Sequence, residues 1–173
     1  DAWRRAHGVE NRFVIYDHPH VTARELESKV ALILPESPGT FEVLKGGETL
    51  PACDLAIATL WSSVYPLLRL APNARRAYFI QDYEPLFYAA GTVSALAASS
   101  YDLGFFGIFN TRGLYESVRK DHPIDGVWFE PAVDTTLFHP RGRTPNTRVF
   151  FYGRPSVDRN GFELGVEALR KLK

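Results

Sequence analysis

The stretch Asp54-Leu-Ala-Ile-Ala-Thr59, the helical pattern from Ser62 to Leu70 and the run Arg76-Ala-Tyr-Phe-Ile-Gln-Asp82 together decide the fold. Both β runs are apolar almost throughout, which suits strands covered on both faces. The segment between them has the length of the crossover helix that parallel neighbours require. The alternation continues towards the C-terminus. A helix is expected from Val93 to Tyr101, a strand over Phe105-Phe-Gly-Ile-Phe-Asn110, and a helix over Arg112 to Lys120 with Thr111 as its N-cap. Gly126-Val-Trp-Phe-Glu130 then leads into Pro131-Ala-Val-Asp-Thr-Thr-Leu-Phe-His-Pro140. Towards the N-terminus, Arg12-Phe-Val-Ile-Tyr-Asp17 reads as a strand and Thr22 to Lys29 as a short helix. Val30-Ala-Leu-Ile-Leu34 fits either a strand or a buried helical turn. Pro35 to Glu48, rich in Pro and Gly, reads as loop. The pattern predicts an α/β fold: a parallel sheet with helices on both faces.

Beyond Pro140 the character changes. Arg141-Gly-Arg-Thr-Pro-Asn-Thr147 offers little to pack and reads as a linker. It is followed by Arg148-Val-Phe-Phe-Tyr-Gly-Arg-Pro-Ser-Val-Asp-Arg-Asn-Gly161 and a helical pattern running to Lys173. An apolar strand, a loop with two arginines and a helix N-terminus form a ready-made phosphate site: unpaired N–H groups and fixed positive charge converge. The expected organisation is one α/β domain over 1–140, a linker over 141–147, and the first β–α unit of a second domain over 148–173. Phe162, Val166 and Leu169 follow helical spacing and are expected to bury against that second domain's sheet, or to drive self-association through the 160–173 helix.

Composition sets further bounds. Of 173 residues, 45% are hydrophobic and 23% charged, as in ordinary soluble domains. Twenty basic and twenty acidic side chains cancel, which argues against nucleic acid as the partner. The single cysteine, Cys53, allows no internal disulfide, so a reducing, cytoplasmic location is expected. It reads as a small core side chain at a strand start rather than a nucleophile. No apolar run approaches the roughly 20 residues that span a bilayer. The chain has no methionine and opens on Asp1-Ala-Trp-Arg-Arg, which reads as the end of a helix and predicts an interior segment of a longer protein.

In an open parallel sheet, ligands bind beyond the carboxyl ends of the strands. Those ends present Asp17, His18 and His20; Thr59, Trp61 and Ser62; Gln81, Asp82, Tyr83 and Glu84; Asn110 and Thr111; and Gly153 with Arg154. Amides, hydroxyls, carboxylates and rings on one rim suit a polyhydroxylated ligand. Asp82 reads as a base, an orienter of a substrate hydroxyl, or a turn residue. Gln81 and Asn110 equally suit loop backbone groups as partners. Trp61, Tyr83, Phe87 and Tyr88 fit a sugar-stacking wall or core packing. Asp134, followed by two threonines, reads as a turn or cap. His18 and His20 lack the supporting ligands of a zinc site. No Gly-x-Ser-x-Gly elbow, Walker-type loop or Gly-x-Gly-x-x-Gly fingerprint occurs.

Two motifs carry a resemblance. Glu130-Pro-Ala-Val-Asp-Thr-Thr-Leu-Phe-His-Pro140 resembles the inter-domain segment of the family-4 retaining glycosyltransferases of GT-B architecture, with Ala132 where that family usually has glycine. Val149 to Gly161 resembles its strand and Gly-Arg loop, with Arg159 near the usual lysine and Asn160 intervening before Gly161. Ala77-Tyr-Phe-Ile-Gln-Asp-Tyr-Glu-Pro85 with Phe109-Asn-Thr111 is most similar to rhamnosyl- and mannosyltransferase-like members that build bacterial surface polysaccharides. The resemblance implies a Rossmann-like acceptor-side domain lacking its first strand, and the opening of a Rossmann-like donor-binding domain. It implies retaining transfer of a rhamnose- or mannose-type sugar from a nucleotide-diphosphate donor to a glycan acceptor, with no permanently bound cofactor and no obligatory metal. Gly153, Arg154, Arg159 and Gly161 would hold the donor. His18, Trp61, Gln81, Tyr83, Asn110 and Thr111 would line the acceptor side, with Asp82 as the catalytic candidate. A place at the inner face of the membrane, with peripheral association, is expected, and the segment alone is expected to be inactive. The alternative is a non-catalytic α/β domain that binds a glycan or protein partner.

Overall fold

The computed structural model describes residues 6–16, 20–33, 39–45, 47–140, 142 and 147–172. Strands and helices alternate along it, and the strands with assigned partners pair in parallel. The chain is α/β, with parallel sheets flanked by helices in Rossmann-like fashion. A two-stranded sheet joins β1 (Arg12–Tyr16) to β2 (Thr40–Leu44), and a four-stranded sheet runs in the order β3 (Leu55–Ala58), β4 (Arg75–Ile80), β5 (Phe106–Phe109), β6 (Gly126–Trp128). By compactness the chain divides into two units, one comprising 1–58 and 63–76, the other 59–62 and 77–173.

In the first unit, β1 and β2 are in register from Arg12 opposite Thr40 to Tyr16 opposite Leu44. Phe13 stacks on Phe41 across the pair with centroids 5.1 Å apart. Arg12 Nε lies 3.3 Å from Glu42 Oε1. Between these strands α1 (Ala23–Ile33) opens on a capping box. Thr22 Oγ1 accepts from the Glu25 N–H at 3.2 Å, and Glu25 Oε2 accepts from the Thr22 N–H at 2.9 Å. Those bonds hold the Glu25 carboxyl below its usual range. The helix runs through Val30 to Ile33, which settles the ambiguous apolar stretch as helical. β2 is a correction, since it lies in the segment read as loop. Its pairing edge is supplied by β1, a distant stretch that local composition cannot report. Cys53 is a second correction: it is exposed, because β3 begins two residues later at Leu55.

In the second unit, Tyr78 of β4 faces Gly107 of β5, and Gly107 faces Gly126 of β6. Tyr78, Ile80 and Phe109 are fully buried, together with Tyr101 and with Val118 of α4 (Arg112–Asp121). α3 (Thr92–Ser99) lies close to the expected bounds, as does α2 (Trp61–Leu70), whose residues from Ser63 on belong to the first unit. Thr111 caps α4 as expected, its hydroxyl oxygen accepting from the Leu114 N–H at 3.2 Å.

The segment from Val149 to Gly153 is a further correction. It is not a ladder strand among the described residues, and Val149, Phe150 and Tyr152 are 68%, 89% and 70% exposed. A strand exists only against a partner edge, and β propensity alone does not supply one. The helix expected after it is present as α5 (Phe162–Lys171). Phe162 stacks on Phe151 at 5.9 Å, and the stripe of Phe162, Val166 and Leu169 is half-buried. Linker residues 141 and 143–146 lie outside the described residues.

Candidate functional site

The site grows from the loop after β4. Gln81 and Asp82 leave the strand, Tyr83 follows, and Glu84–Phe87 make one 3-10 turn with Pro85 in its first turn. Asp82 Oδ1 accepts from the Tyr83 N–H at 2.8 Å, closing the bend. Glu84 then turns inward and is only 2% exposed. Its Oε2 accepts from the Tyr78 hydroxyl at 2.7 Å and from the Trp61 N–H at 2.6 Å. Its own N–H donates to the Tyr101 hydroxyl at 3.1 Å. Burial, above all, pushes the Glu84 carboxyl upward and the Asp82 charge adds to this, against the two donated bonds. Burial likewise raises the Tyr78 and Tyr101 hydroxyls beyond the usual tyrosine range, so both keep their protons. Sequence places Glu84 on the rim but indicates no role for it. Burial of a carboxylate against two tyrosines is a tertiary fact with no local signal.

Around this anchor stand the aromatic candidates. The Trp61 indole N–H donates to the Tyr88 hydroxyl at 3.0 Å, with the rings edge to face at 5.8 Å. Tyr83 stacks on Tyr101 at 5.9 Å. Trp61, Tyr83 and Phe87 are half-buried and Tyr88 is 38% exposed, so none of the four lies in the core proper.

The polar candidates divide. The Asn110 side-chain amide donates to the Gln81 carbonyl at 2.7 Å, and the Asn110 N–H donates to the Ile80 carbonyl at 3.2 Å, so Asn110 ties the loops after β4 and β5 together. Thr111 is committed as a helix cap. Both therefore hold architecture on the rim, Thr111 as the cap and Asn110 as the partner of loop backbone that their sequence also suited, while Gln81 is exposed. Asp17 and His18 lie outside the described residues. Asp134 makes a turn: its Oδ1 accepts from the Thr136 N–H at 2.8 Å and from the Thr136 hydroxyl at 2.5 Å. These bonds lower the Asp134 carboxyl.

The Gly-Arg loop is built by short-range bonds. The Val157 N–H donates to the Arg154 carbonyl at 3.1 Å, and the Asn160 N–H to the Val157 carbonyl at 2.9 Å. Asp158–Asn160 form a 3-10 turn, and Gly161 then takes φ 60° and ψ 39°, a left-handed conformation that glycine enters without penalty. Gly153 is needed for space, because a Cβ there would stand 2.8 Å from the Phe162 ring. Arg154 is exposed at the loop surface. Arg159 instead crosses to the β4 loop, where its Nη1 donates to Asp82 Oδ2 and its guanidinium lies 4.2 Å from the Phe87 ring centroid. Asp82, Phe87 and Arg159 thus form one cluster, joining a residue expected on the acceptor side to one expected on the donor side. Sequence reading picks out Asp82 and Arg159 separately; 77 residues part them, and no local pattern pairs them.

Among the described residues no group of three or more His, Cys, Asp or Glu could hold a metal ion, and no helix is long and apolar enough to cross a membrane. No family model matches the chain. Over its whole length it is 57% identical to the O-antigen biosynthesis protein RfbC of Myxococcus xanthus, and it spans 14% of that protein's length.

Proposed function

We propose that this chain is part of a retaining glycosyltransferase of GT-B architecture that works in bacterial surface polysaccharide synthesis. It would move a rhamnose- or mannose-type sugar from a nucleotide-diphosphate donor to a glycan acceptor. The observation that carries the reading is the meeting of the Gly153–Gly161 loop with the β4 rim, where Arg159 reaches Asp82 and Phe87. The identity with a protein named for O-antigen biosynthesis supports the polysaccharide setting.

In this reading the bond from the anomeric carbon to the diphosphate oxygen breaks, and a bond to the acceptor hydroxyl oxygen forms. The acceptor proton passes to a carboxylate, for which Asp82 is the candidate. Negative charge builds on the leaving diphosphate, and Arg154 and Arg159 offset it with forked N–H donors. Trp61, Tyr83 and Tyr88 offer rings to sugar faces.

The test uses the intact protein with candidate nucleotide sugars. A productive donor raises the melting temperature by mass action and yields a glycan product with retained anomeric configuration. Arg154→Ala is expected to lower turnover on the order of 100-fold or more, the scale of losing one transition-state donor. Because Arg154 is exposed, the melting temperature without donor should not move. Near-normal turnover in that variant refutes the assignment.

A further inference from the structure

We infer that Asp82 gates the donor site by competing with the donor diphosphate for Arg159. The inference rests on the glycosyltransferase reading above. Arg159 has two partners within its own unit, the Asp82 carboxylate and the Phe87 ring face. Its side chain is 38% exposed and that of Asp82 is 43% exposed, so the pair stands at the surface, where an anion from solution can reach it. A surface ion pair is weak and exchangeable. A diphosphate brings more charge and more acceptor oxygens than one carboxylate, and a guanidinium binds phosphate in forked geometry. Phe87 sits on the guanidinium face and leaves the in-plane N–H groups available, so exchange of anions does not require the cation to leave its ring.

The consequence is an order of events. While Arg159 holds Asp82, the guanidinium occupies Oδ2, the oxygen not already bound by the Tyr83 N–H. When the diphosphate takes Arg159, Asp82 is released at the rim beside Tyr83, whose N–H steadies its other oxygen at 2.8 Å. Donor binding thereby frees the carboxylate the acceptor needs. Asp82 thus restrains Arg159 before the donor arrives and serves the acceptor afterwards.

The experiment measures nucleoside diphosphate affinity of the intact protein by calorimetry, for wild type, Asp82→Asn and Asp82→Glu, at low and at high salt. Removing the competing carboxylate should tighten binding in Asp82→Asn about two- to fivefold at low salt, the scale of one exposed ion pair. Asp82→Glu, which keeps the carboxylate, should bind as wild type does. The gain in Asp82→Asn should shrink at about 1 M salt, where screening acts within a few ångströms; a purely structural effect would persist. If wild type binds a nucleoside diphosphate and Asp82→Asn binds no more tightly, the gate is overturned and the enzyme assignment stands. If no variant binds any nucleoside diphosphate, the enzyme assignment falls and the gate with it.

Discussion

Glu84 places a carboxylate where water is nearly absent, between the Tyr78 hydroxyl and the Trp61 N–H. Its raised pKa has a definite sign for stability. In the folded protein the group keeps its proton at pH values where the unfolded chain has lost it. Its favourable contribution is therefore full below the ordinary glutamate value of 4.5 and is lost as pH rises through the folded-state value. Glu84→Gln keeps a side-chain oxygen for the same two donors and removes the ionisation. The urea midpoint of wild type relative to Glu84→Gln should fall as pH is raised from about 4.5 to 8, and a constant difference would contradict this account. Single residues also mark the limit of sequence reading on the site. Thr111 was legible as a helix cap as well as a rim position, because a cap is a local device. Asn110 was legible as a rim position and as a partner for loop backbone groups, but not which group it would bind, because the Gln81 carbonyl that receives it lies 29 residues away.

At the scale of elements, strands β3 to β5 were legible because each is a short apolar run bounded by turn residues, with helix-length spacers between them, whereas β6 spans only three residues. Strand β2 was not, because its flanks are rich in Pro and Gly and its partner is the distant β1. Two glycines separate packing from propensity. Gly126 in β6 approaches the β5 backbone so closely that a Cβ would stand 2.9 Å from Gly107 Cα. A neighbouring backbone cannot swing aside as a side chain can. Gly126→Ala is expected to destabilise by about 1–3 kcal/mol. Gly113, in the first turn of α4, has open space beside it, and an added methyl group would meet nothing within 4 Å. Gly113→Ala should stabilise by up to about 1 kcal/mol, since alanine suits a helix better and restricts the unfolded chain. Urea midpoints moving in opposite directions check the pair.

At the scale of the molecule, the chain spans 14% of its relative's length, and Val149, Phe150 and Tyr152 expose strand-forming side chains that pair with no strand among the described residues. The proposed function takes this segment as the opening of a donor-binding domain whose other strands supply the edge. The isolated 173-residue chain should then yield no transfer product from nucleotide sugars that the intact protein turns over. Measurable turnover by the isolated chain would overturn that division of labour. The clamp between the β4 and β5 loops carries an implication for how such proteins diversify. Asn110 binds the backbone of Gln81 and ignores its side chain, which lies open on the rim. Position 81 can thus exchange one side chain for another while the backbone tie keeps the two loops together, so surface chemistry there varies independently of folding.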